Sequence, residues 1–434
     1  MNTPICDFVR TYAESNTMRL HMPGHKGVGP LGVERLDITE IDGADVLYQS
    51  HGIIRESEDN AAELFGTART VYSTEGSSLS IRAMLYLAVL WARENGKRPH
   101  IFAGRSAHKV FMHTAALLDF DVTFVGDITA DSIDSMLKAA PEPPTAIYVT
   151  SPNYIGETAD IKRISEHCRK YGVLLLVDNA HGAYFKFIEE SRHPIDLGAD
   201  MCCDSAHKTL PVLTGGAYLH ISKNAPPMFA EQCERAMELF ASTSPSYLIL
   251  QSLDAANRCI ADGYPSKLRR FIREVILLKS QLIRRDFLVS GDPHRMTFHA
   301  KQYGYTGNEF AEILLRSGIV CEFADPDYLV LMLTPEVGTE ALAQLEQVLT
   351  AIPKRRPLVA APPTSSPMRA MSIREAMMSP SEEIAVANAR GRVLASAGVS
   401  CPPAVPIVIC GEIIGEREQR AFEYYGITKV RVVK

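Results

Sequence analysis

Short apolar runs alternate with amphipathic segments along most of the chain. The run Val173–Val177 is apolar at every position, which predicts a strand buried on both faces, whereas Ile161–Tyr171 repeats its apolar residues at helical spacing. Strands that alternate with helices indicate an α/β fold with a mainly parallel sheet covered on both sides. The same reasoning predicts strands at 70–73, 100–103, 121–125 and 146–150 and helices at 56–65, 79–93, 107–118 and 130–139.

The second half of the chain predicts longer helices and a smaller α/β region. Long helices are predicted over 230–262 and 267–289, followed by strands at 295–300, 320–323 and 328–333 and helices at 308–317 and 337–352. The predicted organisation is an N-terminal arm with loops (1–55), a large domain (56–285), a small α/β region (286–353), a proline-rich linker (354–367) and a last segment of the small domain (368–434).

Composition and charge narrow the class of protein. A chain of 434 residues is expected to form two or three domains, and its 46% hydrophobic and 22% charged residues are ordinary for a globular protein. The net charge of −6 argues against nucleic-acid binding, and no apolar run is long enough to span a membrane. Nine cysteines without a C-x-x-C pair, and an N-terminus without a visible signal peptide, predict a cytoplasmic protein with reduced thiols and no metal site.

The segment Asp204–Tyr218 places a lysine among apolar residues. Lys208 lies next to His207 and shortly before the apolar run Leu210–Leu213. Partial burial lowers the pKa of a lysine and leaves the neutral amine that forms a Schiff base with a carbonyl. The alternative is a loop lysine whose ammonium group reaches solvent.

Gly76, Ser77 and Ser78 lie between a predicted short strand and a predicted long helix. Backbone N–H groups and the positive end of the helix dipole suit a phosphate at such a junction, and the two hydroxyls add donors. The alternative is a serine that only caps the helix.

Two further polar residues follow predicted strands. Asp178 ends the strand Val173–Val177 and precedes His181 by three residues, and His108 follows the strand 100–103. Ligands of open parallel sheets bind beyond the carboxyl ends of the strands, so Asp178 could hold a proton on a heteroaromatic nitrogen and His108 could stack on a planar ring. A capping aspartate and a capping or surface histidine are the alternatives.

A phosphate site, an acid at a strand end and a Schiff-base lysine have one common explanation, which is pyridoxal 5′-phosphate. The ring of this cofactor stabilises a carbanion, while the protein binds the phosphate, provides a partner for the ring nitrogen and supplies the imine lysine. A nucleotide is the alternative ligand, but the sequence has no G-x-G-x-x-G after the first strand and no G-x-x-x-x-G-K-[ST].

These segments together resemble the Orn/Lys/Arg decarboxylase family of fold type I pyridoxal-phosphate enzymes, which have an aspartate aminotransferase-like large domain and a smaller C-terminal α/β domain. The resemblance runs from Leu20 to about Glu412. It rests on segments that match family motifs in the same order: His21–Gly27, Ala61–Gly66, Glu75–Ser78, Ala107–Lys109, Thr150–Gly156, Val177–Ala183 and Ser205–Thr214.

The resemblance implies a role for each matching residue. Lys208 would form the Schiff base with the cofactor, Asp178 would pair with the pyridine nitrogen, and His108 would stack on the ring. His181 would assist orientation or protonation near the ring. The implied cofactor-binding set is Gly76, Ser77, Ser78, His108, Asn153, Asp178, His181, Ser205, His207 and Lys208.

The resemblance also implies an assembly. Members of the family act as dimers or multiples of dimers with the active site at the subunit interface, and the loop around Asp45 would reach that site. The N-terminal wing domain of the large acid-induced members is not seen, so their decameric assembly is not expected.

Two regions depart from the family pattern and bear on the substrate. Ser50 stands where the family commonly has proline, and Cys401, Ala404 and Cys410 replace the tyrosine, glycine and proline of its tail motif. Both regions help to shape the substrate pocket in the family. The cofactor is therefore a firmer expectation than the substrate.

The expected activity is α-decarboxylation of a basic amino acid, arginine or lysine before ornithine, in cytoplasmic polyamine biosynthesis. An aminotransferase or a side-chain lyase on the same scaffold is an alternative, because a fold does not fix a reaction. A catalytically silent homologue is a further alternative, although the presence of Lys208, Asp178 and His108 counts against it.

Overall fold

The computed structural model describes residues 1–126, 128–362, 367–401 and 405–434, which form two compact units. The first unit comprises residues 1–99, 129–151 and 160–267, and the second comprises 100–128, 152–159 and 268–434. The described helices are α1 (Pro4–Glu14), α2 (Ile53–Phe65), α3 (Ser77–Glu94), α4 (Lys109–Leu118), α5 (Ala130–Ala139), α6 (Ile161–Tyr171), α7 (Ala206–Thr209), α8 (Pro227–Glu238), α9 (Tyr247–Ala261), α10 (Tyr264–Ile283), α11 (Gly307–Arg316), α12 (Gly338–Thr350), α13 (Ile373–Met378) and α14 (Glu416–Tyr424).

Fifteen strands are described, and most belong to the two larger sheets. They are β1 (Arg69–Ser73), β2 (His100–Gly104), β3 (Asp121–Val125), β4 (Ala146–Thr150), β5 (Leu174–Asp178), β6 (Met201–Asp204), β7 (Ala217–Ile221), β8 (Val289–Ser290), β9 (Arg295–His299), β10 (Phe323–Ala324), β11 (Tyr328–Met332), β12 (Ser381–Ala385), β13 (Gly398–Cys401), β14 (Val405–Ile409) and β15 (Lys429–Val433).

The first unit carries strands in the order β1-β7-β6-β5-β4. β4, β5 and β6 pair in parallel, and Asp178 at the end of β5 lies opposite Cys203 of β6. β7 is antiparallel to both β6 and β1, so it alone is reversed among these five strands. The predicted α/β fold with a mainly parallel sheet is confirmed.

The sequence around β5 explains why this strand delivers a carboxylate to the edge of the sheet. Asp160 caps α6 by accepting a hydrogen bond from the Arg163 N–H, and Gly172 ends the helix with a φ of 64°. A left-handed residue at that position favours glycine. All five residues of the following strand are buried, including Asp178.

The second unit pairs β2 with β3 in parallel and contains an antiparallel sheet of order β10-β11-β9-β8. Phe298 of β9, Phe310 of α11 and Leu329 of β11 are buried in one core of this unit. Residues from 386 onward have a core of their own, which includes Phe422 and Val432. Each of these two segments thus buries a separate set of apolar side chains.

One predicted long helix is wrong. The segment predicted as a helix over 230–262 forms two helices, because α8 ends at Glu238 and α9 begins at Tyr247. Ser246 caps α9 by accepting a hydrogen bond from the Ile249 N–H, and Pro245 disfavours helical conformation in the residue before it. The serines and the proline between the two helices indicate a helix end. The single long helix was predicted because the apolar periodicity continues on both sides of them.

Two other predictions need correction in the second unit. The helix predicted over 267–289 is α10, which ends at Ile283, and Asp286 then adopts a φ of 68° before β8 begins at Val289. The strand predicted over 320–323 contains only Phe323 of the predicted residues. Val320 is 80% exposed, so its apolar side chain did not indicate a buried strand.

Candidate active site

Lys208 lies in the short helix α7, directly after β6. Its Nζ is 2.9 Å from Nε2 of His181, which follows the end of the neighbouring strand β5. His181 is buried, whereas Lys208 is half-buried. The structure therefore brings together the lysine and the histidine that the sequence predicted, at the carboxyl ends of two adjacent parallel strands.

Asp178 is a buried acceptor with donors on both carboxylate oxygens. The Tyr148 hydroxyl donates to its Oδ2 at 3.2 Å and the Ala180 N–H donates to its Oδ1 at 3.2 Å. Burial, together with the negative Asp178, holds the pKa of Tyr148 well above its usual value, so this phenol remains a donor. Tyr148 was missed in the sequence because it reads as one more apolar residue of a buried strand.

The first turn of α3 has the features that suit an anion. Gly76 occupies the position before the helix with a φ of 70°, and no described side chain caps the first turn. Ser77 and Ser78 are the first two residues of the helix, and the Ser205 hydroxyl donates to the Ser77 hydroxyl at 2.8 Å. The capping alternative is thus excluded for these serines, and the N–H groups of an 18-residue helix can receive a phosphate.

His207 lies beside this helix terminus. Its Nδ1 donates to the carbonyl of Gly216 at 2.9 Å, and a Cβ added to Gly76 would lie 3.9 Å from its ring. Burial lowers the pKa of His207, the Gly216 carbonyl raises it in part, and Lys208 lowers it further. His207 therefore lies close enough to the start of α3 to contact a phosphate bound there.

The two remaining predicted residues lie in the second unit. His108 is exposed and caps α4, its Nδ1 accepting from the Val110 N–H at 3.4 Å. Asn153 donates from Nδ2 to Glu157 at 2.7 Å and accepts from the Glu157 N–H at 2.9 Å. Their contacts with a cofactor remain predictions.

Asp204 is the main site feature that the sequence did not reveal. It is fully buried; His193 Nε2 lies 3.0 Å from its Oδ2, His220 Nε2 lies 3.3 Å from the same oxygen, and Asn179 Nδ2 donates to its Oδ1 at 2.6 Å. The two histidines lower the pKa of Asp204 against the effect of burial. One ligand atom each from His193, Asp204 and His220 lies within 4.8 Å of the others, a spacing that could also admit a metal ion.

The Asp45 loop and the tail form internal contacts that explain their shapes. Asp45 has a φ of 66° and accepts backbone hydrogen bonds at the start of α2, including those of Gly52 at 2.8 Å and Ile54 at 3.0 Å. In the second unit Arg105 pairs with both carboxylate oxygens of Glu412. Glu412 is therefore already paired with Arg105 and does not offer an unpaired carboxylate to a cationic substrate.

The altered tail residues can be assessed in part. Cys410 is buried, and its thiol donates weakly to the carbonyls of Ile373 and Ala395 at 3.6 and 3.7 Å. Burial raises the pKa of this thiol to about 12, so it acts as a packed neutral group. The Cys401 side chain and Ala404 lie outside the described residues.

The residues of the first unit fit pyridoxal phosphate. The Lys208 amine can form the imine, the buried Asp178 carboxylate can hold a protonated ring nitrogen, and the uncapped start of α3 can hold the phosphate. Asp178 ends β5, Lys208 follows β6, and α3 begins after β1. The three groups therefore lie at the carboxyl ends of three strands. The amine, the carboxylate and the backbone N–H groups match the imine carbon, the ring nitrogen and the phosphate of the cofactor, respectively.

Family models match the chain over most of its length. The model described as the Orn/Lys/Arg decarboxylase major domain matches residues 3–292, and the model of the family's C-terminal domain matches residues 358–430. The chain belongs to the Orn/Lys/Arg decarboxylase family.

Relatives and solved structures agree with this family. The chain is 30% identical over 459 residues to an arginine decarboxylase of Halalkalibacterium halodurans, with 95% of this chain and 91% of the relative covered. The constitutive lysine decarboxylase of E. coli has a similar fold, with a TM-score of 0.78 and 18% identity over 100% of this chain and 82% of that one. Lysine decarboxylase A of Pseudomonas aeruginosa gives a TM-score of 0.80 at 17% identity, over 99% and 80% of the two chains.

The fold is that of fold type I pyridoxal-phosphate enzymes. None of the described helices has both the length and the apolar character needed to cross a lipid bilayer.

Proposed function

We propose that the protein is a pyridoxal-phosphate-dependent α-decarboxylase of a basic amino acid, arginine or lysine before ornithine. The observation that carries this proposal is the Lys208–His181 contact beside the buried Asp178, with an uncapped helix start at Ser77. The relatives that match 95% of this chain include proteins named arginine decarboxylase, which favours arginine.

The chemistry assigns a task to each side chain. When bound, the cofactor would supply an electron-withdrawing ring able to take up the electron pair of the bond between Cα and the carboxylate. Asp178 would hold a proton on the ring nitrogen, because a carboxylate forms a charge-assisted hydrogen bond with a protonated nitrogen. The substrate loses CO₂, and a proton takes its place on Cα. Lys208 and His181, whose nitrogens lie 2.9 Å apart, are the two groups we assign to the return of that proton.

The N-terminal arm supports assembly into a homodimer with the active site at the interface. Its apolar side chains are exposed in the single chain, with Leu20 at 83%, Val28 at 80% and Leu31 at 80%. Exposed apolar side chains that cluster in one segment indicate a surface that another chain covers. Sedimentation of the wild type should show a dimer or a multiple of dimers, and Leu20→Asp with Leu31→Asp should release monomers. A monomeric wild type would contradict the assembly.

The thiols support the cytoplasmic location. Cys202 and Cys203 are adjacent and buried in β6, and neither forms a disulfide with another described cysteine. Burial raises the pKa of both thiols well above the usual value, so both stay in the thiol form. A reducing compartment preserves such residues.

A substrate panel tests the reaction. The holoenzyme should release CO₂ and the matching amine from arginine or lysine, and less from ornithine. Formation of a keto acid without CO₂ would instead identify an aminotransferase, and loss of a side-chain fragment would identify a lyase. A cofactor-loaded protein that converts none of the three amino acids would favour the catalytically silent homologue.

A further inference from the structure

Asp204 joins three elements behind the lysine. It ends β6, His220 belongs to β7, and His193 lies in the segment between β5 and β6, yet both histidines converge on its Oδ2 at 3.0 and 3.3 Å. All three side chains are fully buried. A buried carboxylate is stable only if donors compensate for the water it has lost, so these histidines fix the position of the end of β6.

The other oxygen of Asp204 connects this anchor to the acid loop. Asn179 is fully buried and donates from Nδ2 to Oδ1 at 2.6 Å, while its own N–H donates to the carbonyl of Cys203 at 3.0 Å. Asn179 directly follows Asp178 and precedes His181 by two residues. The side-chain and backbone bonds of one residue thus tie the end of β5 to the end of β6.

The lysine is linked to the same anchor through the main chain. Ser205 follows Asp204, its N–H donates to the carbonyl of Ala180 at 3.3 Å, and its carbonyl accepts from the Lys208 N–H at 3.0 Å. Any shift of Asp204 would therefore move Ser205 and Lys208 relative to the loop that carries Asp178.

We propose that Asp204 is a positioning residue: its hydrogen bonds to Asn179 and His193 and its close contact with His220 set the spacing between Lys208 and the acid loop of Asp178. The proposal rests on the proposed imine at Lys208. Its direct evidence is the convergence of three buried side chains on one carboxylate at the junction of the two loops.

The hydrogen-bond directions explain why asparagine cannot replace Asp204. Asn179 Nδ2 donates to one carboxylate oxygen and His193 Nε2 lies at hydrogen-bond distance from the other, with His220 Nε2 3.3 Å from that second oxygen; a carboxylate can accept on both oxygens. Asparagine has one oxygen and one N–H₂ group, so at least one donor would face another donor. Asp204→Asn therefore changes the local geometry without changing the side-chain volume.

The first unit contains a matched control pair. Asp254 is also fully buried, accepting from the Ser57 hydroxyl at 2.6 Å and the Cys6 N–H at 2.9 Å. Asn257 is fully buried near it and donates to the Tyr72 hydroxyl at 2.8 Å. The comparison is Asp204→Asn and Asn179→Ala against Asp254→Asn and Asn257→Ala, in the cofactor-loaded enzyme.

Four measurements separate positioning from plain stability: kcat, KM, the pH titration of the imine absorbance, and the melting temperature. Both site variants should lower kcat by roughly 10- to 100-fold with little change in KM, and they should shift the midpoint of the imine titration. The control pair should lower the melting temperature while leaving kcat and the imine titration unchanged.

The proposal is overturned if the site pair behaves like the control pair. Should Asp204→Asn fail to fold, Asn179→Ala decides alone, because it leaves the carboxylate and both histidines in place. A wild type that holds one zinc ion per chain, released by His220→Gln, would also overturn it by making the cluster a metal site. A wild type without an imine band would instead refute the proposed function.

Discussion

Two clusters of buried charge in the first unit differ in what surrounds them. In one, Glu58 of α2 pairs with Arg69 of β1 at 3.2 Å, and Arg69 also pairs with Glu234 of α8. In the other, Asp204 at the end of β6 forms hydrogen bonds with His193 and Asn179, and His220 lies 3.3 Å from the same oxygen as His193. Both clusters connect helices or loops to the sheet, but only the second lies next to Lys208, the lysine proposed to form the imine.

The protonation of the two carboxylates also differs. Burial raises the pKa of Glu58 to about 7, although Arg69 and the Tyr72 N–H lower it in part. The pKa of Asp204 is lowered despite complete burial, because two histidines and their hydrogen bonds outweigh desolvation. Buried charge by itself therefore does not mark an active site. The hydrogen-bond and ion-pair partners of a buried carboxylate decide whether it stays ionised. The groups next to it decide whether it can take part in a reaction.

The largest expected effect is loss of the lysine beside the second cluster. Lys208→Ala should abolish the imine absorbance and lower decarboxylation by roughly 1000-fold or more, because no other amine replaces the one that contacts His181. Absorbance spectra and CO₂ release measure the two effects. Lys186→Ala is the control, since it removes only an ion pair with Asp196. An intact imine band in Lys208→Ala would move the active site elsewhere.

The next effect concerns the acid of β5. Asp178→Asn should lower kcat by about 100-fold, because a neutral amide cannot stabilise a protonated ring nitrogen as a carboxylate does. Tyr148→Phe removes one donor at 3.2 Å and should cost less than about tenfold. Both values come from steady-state kinetics at saturating cofactor. Equal kcat for Asp178→Asn and the wild type would remove Asp178 from the site.

The Glu58 cluster should affect stability alone, with a defined pH dependence. The pKa of Glu58 is about 7 in the folded protein against 4.5 as its ordinary value, so the folded state binds this proton more tightly. Stability is then greatest below the lower value and falls as the pH rises through 7, by roughly 3 kcal/mol for this group.

Glu58→Gln should flatten the denaturant-derived stability profile between those two pH values, with kcat unchanged. The exposed Glu63 on the same helix provides the control, and Glu63→Gln should leave the profile as it is in the wild type. A profile that stays equally steep in Glu58→Gln would assign the pH dependence to another group. A large loss of kcat would erase the functional contrast between the clusters.

The smallest effect concerns the phosphate position. Ser77→Ala loses a hydroxyl that accepts from Ser205 at 2.8 Å and faces the start of α3. One hydrogen bond contributes about 1 kcal/mol, so cofactor affinity should fall about fivefold, as measured by titration of the cofactor-free protein. Ser80→Ala, on the same helix at a fully buried position, should leave that affinity unchanged. Equal affinity in both variants would place the phosphate elsewhere.

Much of the fold could be predicted because its signals are local. The buried strand β5, the capped helix α6 and the glycine that ends it each depend on neighbours in sequence. The break between α8 and α9 was missed because apolar periodicity on both sides outweighed a short polar stop signal.

The sequence by itself determined the candidate groups for the chemistry: the amine of Lys208, the carboxylate of Asp178 and the helix start at Ser77. Their place after apolar strands predicts that they meet at one edge of the sheet, because parallel strands bring their carboxyl ends together. Only the tertiary structure decided what holds them. Tyr148, Asn179, His193 and His220 come from separate segments, and no periodicity or spacing relates a donor on one strand to a carboxylate on another. Hydrogen bonding between distant segments depends on the packed arrangement, which the local sequence does not encode.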